Sequence, residues 1–172
     1  FYRRFLERFP DVRALAEAPL DDVLARWAGL GYYRRARFLH EAARLVVREH
    51  GGRVPERPDA FGALPGVGRY TLGAVMSIGF GRALPVLDGK VARVLARWTA
   101  RPLVVKSPAD AKMRWALAAA VMPASSPGDW NQALMDLGAT GCTARRPRCG
   151  ACPLARRCPS AFSPRLAEPV KR

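Results

Sequence analysis

Apolar residues recur at intervals of three and four along most of this chain, as in Leu20, Val23, Leu24 and Trp27, and strict alternation is hard to find. This spacing places the apolar side chains on one face of a helix. The pattern is interrupted by proline and glycine, which are typical of helix ends, at Pro10, Gly51-Gly52, Pro65-Gly66 and Pro123. The pattern therefore predicts an all-α fold, with helices at about residues 1–9, 20–28, 34–50, 59–64, 69–80, 89–99, 108–121 and 129–137.

The sequence changes character after Gly141, where cysteine, arginine and proline dominate and no long apolar period continues. A segment of this composition cannot bury enough apolar surface to order itself. We expect it to be organised by something other than a hydrophobic core. The last ten residues, 163–172, have the composition of a linker or of a chain end.

The charge of the chain is strongly unbalanced. It carries 29 Lys and Arg against 14 Asp and Glu, a formal net charge of +15, and only four of the basic residues are lysines. A GC-rich genome is one source of arginine, but such a surplus on a small domain is also typical of proteins that bind a polyanion. Nucleic acid is the partner that this charge favours.

Two further classes are excluded by the pattern. The longest apolar region, residues 64–84, is broken by Arg69 and Arg82, so no membrane span is predicted and no membrane partner is expected. The first residues carry arginines in an amphipathic pattern without a cleavage site, which excludes a signal peptide. Because the chain begins at Phe1, we expect an internal fragment of a longer protein that works in the cytoplasm.

All four cysteines of the chain lie within seventeen residues, as Cys142, Cys149, Cys152 and Cys158, in a C-x6-C-x2-C-x5-C pattern. Two disulfides would need an oxidising compartment, for which nothing else in the sequence argues. Four thiolates suit zinc or a [4Fe-4S] cluster, although zinc sites more often use two close pairs. The spacing favours a cluster and leaves zinc and disulfides open. The arginines between the ligands would then form a rigid basic surface for DNA.

A glycine-rich turn separates two predicted helices. Gly66 and Gly68 permit backbone conformations that other residues avoid, and Arg69 begins the next helix. The free N–H groups at a helix start can hold a phosphate oxygen without reading a base. We predict a phosphate-binding turn; a simple connection between helices is the alternative.

These motifs resemble those of a known family. Residues 64–70 are similar to the hairpin of the helix-hairpin-helix base-excision glycosylases related to endonuclease III, and Leu87-Asp88-Gly89 resembles their loop that ends in an essential aspartate. The cysteine spacing is the one that family uses for its [4Fe-4S] cluster. Within the superfamily, Trp27-Ala28-Gly29-Leu30-Gly31-Tyr32-Tyr33 and residues 130–138 resemble the adenine DNA glycosylases of the MutY type, and the resemblance extends from residue 1 to about residue 161.

The resemblance implies the architecture and the setting. It implies a six-helix domain in residues 1–82, with the helix-hairpin-helix at about 59–80, and a domain in residues 83–172 that carries the catalytic aspartate and the cluster. Double-stranded DNA containing a mismatch would lie in the cleft between them. A monomer in the bacterial cytoplasm, associated with the nucleoid, is expected.

The resemblance also implies a reaction, the hydrolysis of the bond between sugar and adenine where the adenine is mispaired with 8-oxoguanine or guanine. This step makes the sugar cationic, so it needs an anion nearby, and Asp88 at a helix start suits that role. A plain N-cap is the alternative role for Asp88. Tyr70 stands where related lyases carry a nucleophilic lysine, so the reaction is expected to stop at the abasic site.

Other residues correspond to substrate contacts of the family. Tyr32 resembles the aromatic residue that wedges into the base stack, and its neighbour Tyr33 is expected to be buried. Gln132 and Asp136, four residues apart on one helix face, with Met135 beside them, correspond to contacts with an adenine flipped out of the duplex. For Met135 a core position is an equal alternative. A glutamine amide suits the hydrogen-bonding edge of adenine.

The chain departs from the family at two points. Lys90 stands where an asparagine is usual and either pairs with Asp88 or points to solvent. The glutamate that acts as the general acid in the family lies upstream of the segment that resembles residues 1–10. We therefore expect this chain by itself to release adenine about 10² to 10⁴ times more slowly than a protein that contains the glutamate. A thymine glycosylase for G:T mismatches and a non-catalytic DNA-binding module remain alternative functions.

Overall fold

A computed structural model describes residues 1–101 and 107–163. Within these residues every regular element is a helix and no strand occurs, which confirms the all-α prediction. The predicted linker at the chain end lies outside the described residues, apart from Ser163. The α-helices are α1 (Tyr2–Arg8), α2 (Val12–Glu17), α3 (Leu20–Trp27), α4 (Tyr33–His50), α5 (Pro58–Gly62), α6 (Arg69–Phe80), α7 (Gly89–Trp98), α8 (Pro108–Ala120) and α9 (Pro127–Asp136).

Eight of these helices lie where the hydrophobic pattern predicts them. The exception is α2, which the pattern did not single out because six residues are too few to show a period. Its start nevertheless has a sequence signal. Asp11 is the N-cap, and its side chain accepts a hydrogen bond of 2.8 Å from the amide of Ala14.

The contacts divide the chain into two units, of which the first is Phe1–Gly68. Helices α2 and α3 both pack on α4, and the core of this unit includes Phe9, Leu15, Val23 and Ala43. His40 is buried with them, and its Nε2 lies 3.0 Å from the carbonyl oxygen of Ala18. That hydrogen bond satisfies the imidazole inside the core, so His40 has a structural role.

The second unit begins at Arg69. Its core is built on α7, from Val91, Val94 and Leu95, to which Val86, Ala118 and Leu134 are added from the preceding segment, α8 and α9. After α9 the chain makes a π-helical turn at Leu137–Gly141 and two 3₁₀ turns at Cys149–Ala151 and Ala155–Arg157. The domain boundary expected between residues 82 and 83 concerns the family's functional domains and stays a prediction.

None of the helices in the described part of the chain combines the length and the hydrophobicity that crossing a bilayer requires.

Candidate functional site

The carboxylate of Asp88 caps the first turn of α7. Its Oδ1 accepts hydrogen bonds from the backbone amides of Lys90, at 2.9 Å, and Val91, at 2.8 Å. Among the described residues none donates to Oδ2. Two N–H donors and the positive end of the helix stabilise the negative charge on this half-buried side chain. The arrangement leaves one carboxylate oxygen free to face a developing cation.

A buried amide holds the segment that leads into Asp88. Asn131, on α9, is 1% exposed; its Oδ1 accepts from the amide of Val86 at 3.2 Å, and its Nδ2 donates to Ser77 Oγ at 2.8 Å and to the Leu84 oxygen at 2.9 Å. The side chain thereby fixes backbone two and four residues before Asp88. Asn131 lies within the motif of residues 130–138 but had no predicted role; the available signal was its position three residues before apolar Leu134, on the same helix face.

The lysine that departs from the family pattern does not pair with the aspartate. The Lys90 amide binds Asp88, but the Lys90 side chain is exposed, and in the described residues it makes no ion pair with the carboxylate. Gly138, in the turn after α9, packs directly on Lys90: a Cβ on Gly138 would lie 2.9 Å from the Lys90 Cβ. The backbone of α7 therefore touches the turn that leads to the first cysteine.

Two of the predicted substrate residues meet between α6 and α9. The Tyr70 hydroxyl donates to Met135 Sδ at 3.2 Å, with the tyrosine 39% exposed and Met135 half-buried. Gln132 and Asp136 are exposed on α9, and the Gln132 amide is tied only weakly, to the Gly128 oxygen at 3.4 Å. No hydrogen bond in the described residues joins Tyr70, Gln132 or Asp136 to the Asp88 carboxylate. Their roles towards a substrate stay predictions.

In the first unit, Tyr32 is presented to solvent. It precedes α4 in the left-handed conformation, with φ of 48°, is 74% exposed, and has the Arg35 guanidinium 4.5 Å above its ring. The expectation that its neighbour Tyr33 is buried was wrong, since Tyr33 is 47% exposed. The reason is positional, because Tyr33 is the first residue of α4 and the buried stripe of that helix begins at Ala36.

The two glycines of the predicted phosphate-binding turn differ. Gly66 has φ of 76°, and a Cβ there would lie 2.6 Å from the Cβ of Phe38, so both conformation and space require glycine. Gly68 has neither constraint. The Arg69 guanidinium lies 4.0 Å from the ring centroid of Trp115, a cation–π contact that holds it in place. Phosphate binding by Gly66, Gly68 and Arg69 stays a prediction.

All four cysteines are free, half-buried and lie around one cavity. Backbone turns set their spacing: the Cys152 amide donates to the Cys149 oxygen at 3.1 Å, and the Cys158 amide donates to the Ala155 oxygen at 3.3 Å. Four thiols around one cavity fit an iron–sulfur cluster, in which each thiolate binds a different iron.

The Cys158 thiol is affected both by its burial and by the three other cysteines. Burial raises the pKa of the Cys158 thiol; a backbone hydrogen bond with Ser160 opposes this, and the charges of the three other cysteines raise it further. Four thiolates therefore repel one another until a cation binds. Assembly of a cluster must release protons, so it becomes more favourable as the pH rises.

The comparisons with known proteins agree on a family. Residues 1–115 match the model described as HhH-GPD superfamily base excision DNA repair protein, and residues 142–158 match the iron-sulfur binding domain of endonuclease III. The second match identifies the cofactor of the four cysteines as a [4Fe-4S] cluster. Zinc and disulfides are thereby set aside.

The curated relatives share one name. Adenine DNA glycosylases from Homo sapiens, Arabidopsis thaliana and Buchnera aphidicola subsp. Acyrthosiphon pisum are 46%, 41% and 35% identical to this chain and cover 92%, 95% and 92% of it. The chain spans 29%, 29% and 45% of their lengths, less than half of each.

Solved structures with the same fold include a thermostable thymine-DNA glycosylase, with a TM-score of 0.82 and 30% identity, and a non-covalent endonuclease III–DNA complex, with a TM-score of 0.77 and 24% identity. Each match covers 94% of this chain and 74% of the other. The helical fold, the cysteine segment and the family match over residues 1–115 lead to one conclusion: the chain belongs to the HhH-GPD superfamily of base excision DNA repair proteins.

Proposed function

We propose that this chain is the glycosylase core of an enzyme that hydrolyses the bond between deoxyribose and adenine, where the adenine is mispaired with 8-oxoguanine or guanine in double-stranded DNA. The observation that carries the proposal is the Asp88 carboxylate, held by two backbone amides at the start of α7 with its second oxygen free. Identity of 35–46% to proteins named adenine DNA glycosylase supports the choice of base.

In the proposed reaction Asp88 stabilises the cationic sugar as the bond to the base breaks. The ionised carboxylate costs no reorganisation because the helix start already solvates it. Tyr70 offers a phenol rather than an amine, so no Schiff base forms there and water completes a monofunctional hydrolysis. The cluster supplies no step; when bound, it orders the segment that carries the four cysteines.

The remaining predicted residues are proposed to bind substrate. The adenine is flipped from the stack because the bond is inaccessible within a duplex. Gln132 and Asp136 present polar groups on one exposed face of α9. Met135 precedes Asp136, packs against the core and accepts the hydrogen bond of the Tyr70 hydroxyl, and the polar face beside this apolar side chain suits a planar base with a polar edge. Exposed Tyr32 suits the wedge that replaces the base in the stack.

DNA backbone contacts are proposed for the turn at Gly66, Gly68 and Arg69 and for the exposed arginines between the cysteines. We further propose the functional division into residues 1–82 and 83–172, action as a monomer, and a location at the nucleoid in the bacterial cytoplasm, where the DNA substrate lies.

The test is single-turnover release of adenine by the complete protein from a duplex with adenine opposite 8-oxoguanine. Asp88→Asn keeps the helix cap but removes the charge, so the fold should survive. We expect the rate to fall about 10²- to 10³-fold, with DNA binding unchanged. Asp21→Asn, an exposed aspartate in the first turn of α3, is the control. Excision at the normal rate by Asp88→Asn would refute the proposal.

Thymine release is the second candidate, because a thymine-DNA glycosylase shares the fold at 30% identity. Comparing base release from A:8-oxoguanine and T:G duplexes decides between the two. A protein that binds both duplexes and releases neither base would be the non-catalytic module instead.

A further inference from the structure

Arg97 is a charged residue in an unusual position. It lies near the end of α7, is only 5% exposed, and among the described residues has no carboxylate within ion-pair distance. A buried cation without an anion is costly unless something compensates for the lost hydration. The proposed glycosylase chemistry makes no use of this side chain.

In the described residues, the side-chain hydrogen bonds of Arg97 all go to the cysteine segment, residues 142–158. Nη1 donates to the Thr143 oxygen at 2.7 Å, and Nη2 donates to the Ala144 oxygen at 2.9 Å. Nη1 also lies 3.4 Å from Cys142 Sγ, and among residues 1–101 and 107–163 the buried Nε has no hydrogen-bond partner. Two carbonyl dipoles replace part of the water shell of the guanidinium, but no carboxylate in that part of the chain balances its charge.

A second cysteine reaches the same residue through the main chain. Cys158 Sγ lies 3.6 Å from the carbonyl oxygen of Arg97, so the first and the last cysteine of the pattern both contact it. Arg93, one turn earlier, is different: it donates to the carbonyl oxygens of Cys142 and Gly138, at 2.9 and 2.6 Å, and has no hydrogen bond to sulfur. Arg97 is the arginine on α7 whose charge faces a ligand atom.

The missing anion is the loaded cluster. Four thiolates carry more negative charge than the iron–sulfide core carries positive charge, so the assembled centre is an anion, and reduction makes it more negative. We propose that Arg97 is the buried counter-ion of the iron–sulfur cluster, which hydrogen-bonds the Cys142 thiolate and stabilises the reduced form of the centre. This inference rests on the cofactor and does not depend on which base the protein removes.

Arg97 could act through its charge or only by tying down the backbone, and two substitutions distinguish these roles. If Arg97 only ties down the backbone at Thr143 and Ala144, any hydrogen-bond donor of similar length should partly replace it, whether the donor is neutral or charged. If it is the counter-ion, the sign of its charge decides the result. Arg97→Lys keeps the charge and loses the fork-shaped pair of donors, whereas Arg97→Gln keeps a donor and loses the charge.

The experiment compares Arg97→Lys and Arg97→Gln with the unaltered protein, measuring iron and sulfide content, the reduction potential of the cluster by protein-film voltammetry, and cluster loss under a mild oxidant. Arg97→Gln should shift the reduction potential by about 59 mV to more negative values. For a one-electron couple this equals about a tenfold change in the ratio of oxidised to reduced cluster. It should also lose its cluster faster. Arg97→Lys should stay much closer to the unaltered protein.

Arg146→Gln is the matched control, because it removes an equal charge from an exposed position on the same segment, where solvent and salt screen it. Equal potentials for the glutamine and lysine variants, or equal failure of both to hold iron, would overturn the proposal. So would a shift in Arg146→Gln as large as that in Arg97→Gln. Iron retained by the lysine variant and lost only by the glutamine variant would support it.

Discussion

A single buried polar residue, Asn131, holds the segment that leads into the proposed catalytic aspartate. The Asp88 carboxylate is aimed by the start of α7, while the backbone before it is held by one amide, Asn131. A residue that makes three hydrogen bonds inside a core contributes strongly to stability, because its removal leaves several buried polar groups without a partner at once.

Replacement of Asn131 with alanine should therefore lower the free energy of unfolding by about 2 to 4 kcal/mol, since a buried N–H and a buried carbonyl lose their partner. Denaturant unfolding of the variant measures this. Gln132→Ala, the next residue on α9, is the control and should change stability by less than about 0.5 kcal/mol, because Gln132 is exposed. Similar losses in both variants would contradict the role assigned to Asn131.

At the level of whole elements, the second unit depends on close backbone contacts made by glycines. Gly73, on α6, packs directly against the carbonyl oxygen of Pro85, and Gly128, at the start of α9, packs against the Ser77 oxygen, where a Cβ would lie 2.8 Å away. The first contact holds the segment before Asp88 against α6, and the second brings α9 against α6. Larger residues at these positions would displace backbone rather than a flexible side chain.

Gly73→Ala should destabilise the protein by about 1 to 3 kcal/mol, because the added methyl group has no space in front of Pro85. Gly79→Ala on the same helix has open space and should be neutral or stabilising by up to about 1 kcal/mol, through helix propensity. Thermal unfolding of the two variants tests the difference. An equal effect of both substitutions would show that the contact with Pro85 is not what matters.

The cysteine segment is an element that packing alone does not hold. Between Cys142 and Cys158 the structure has only short 3₁₀ turns, tied to α7 by Arg93 and Arg97. Removal of the cluster should therefore speed tryptic cleavage at the arginines of this segment by about tenfold or more, since cleavage follows local opening. Mass spectrometry of the fragments reads this out, and sites within α4 should be unaffected. Cleavage there that is unchanged by loss of iron would contradict a structural role for the cluster.

For the molecule as a whole, the dominant property is its charge of +15. Binding to duplex DNA should weaken steeply with salt, with a slope of log K against log salt of about −0.9 for each phosphate neutralised. The double change Arg145→Gln and Arg156→Gln should make the slope shallower by about 1.8, because both side chains are exposed on the cysteine segment. Fluorescence anisotropy titrations measure it, with Arg44→Gln on α4 as the control. An unchanged slope in the double variant would exclude this segment from the interface.

Features that depend on neighbours in sequence could be predicted without coordinates. Helix positions follow from a period of three to four residues, because this period is a property of a short stretch of chain. The grouping of the four cysteines is equally local, but their spacing alone left zinc and disulfides open, and the family resemblance was needed to favour a [4Fe-4S] cluster. The two wrong predictions also concern local pattern. Helix α2 was missed because it is too short to show a period, and Tyr33 was expected to be buried although it lies at a helix start, outside the buried stripe.

The tertiary structure alone decided the contacts between distant segments. Asn131 reaches Val86 across 45 positions, Arg97 reaches Cys142 across 45, and Tyr70 reaches Met135 across 65. No local pattern encodes such a partner, since a helix face shows that a side chain is buried but not against what. The sequence by itself determined eight of the nine α-helices found in the described residues, the four cysteines as a ligand set and the family resemblance. The packing of helices determined which polar groups meet, because most buried polar groups are stable only where the fold supplies a hydrogen-bond partner.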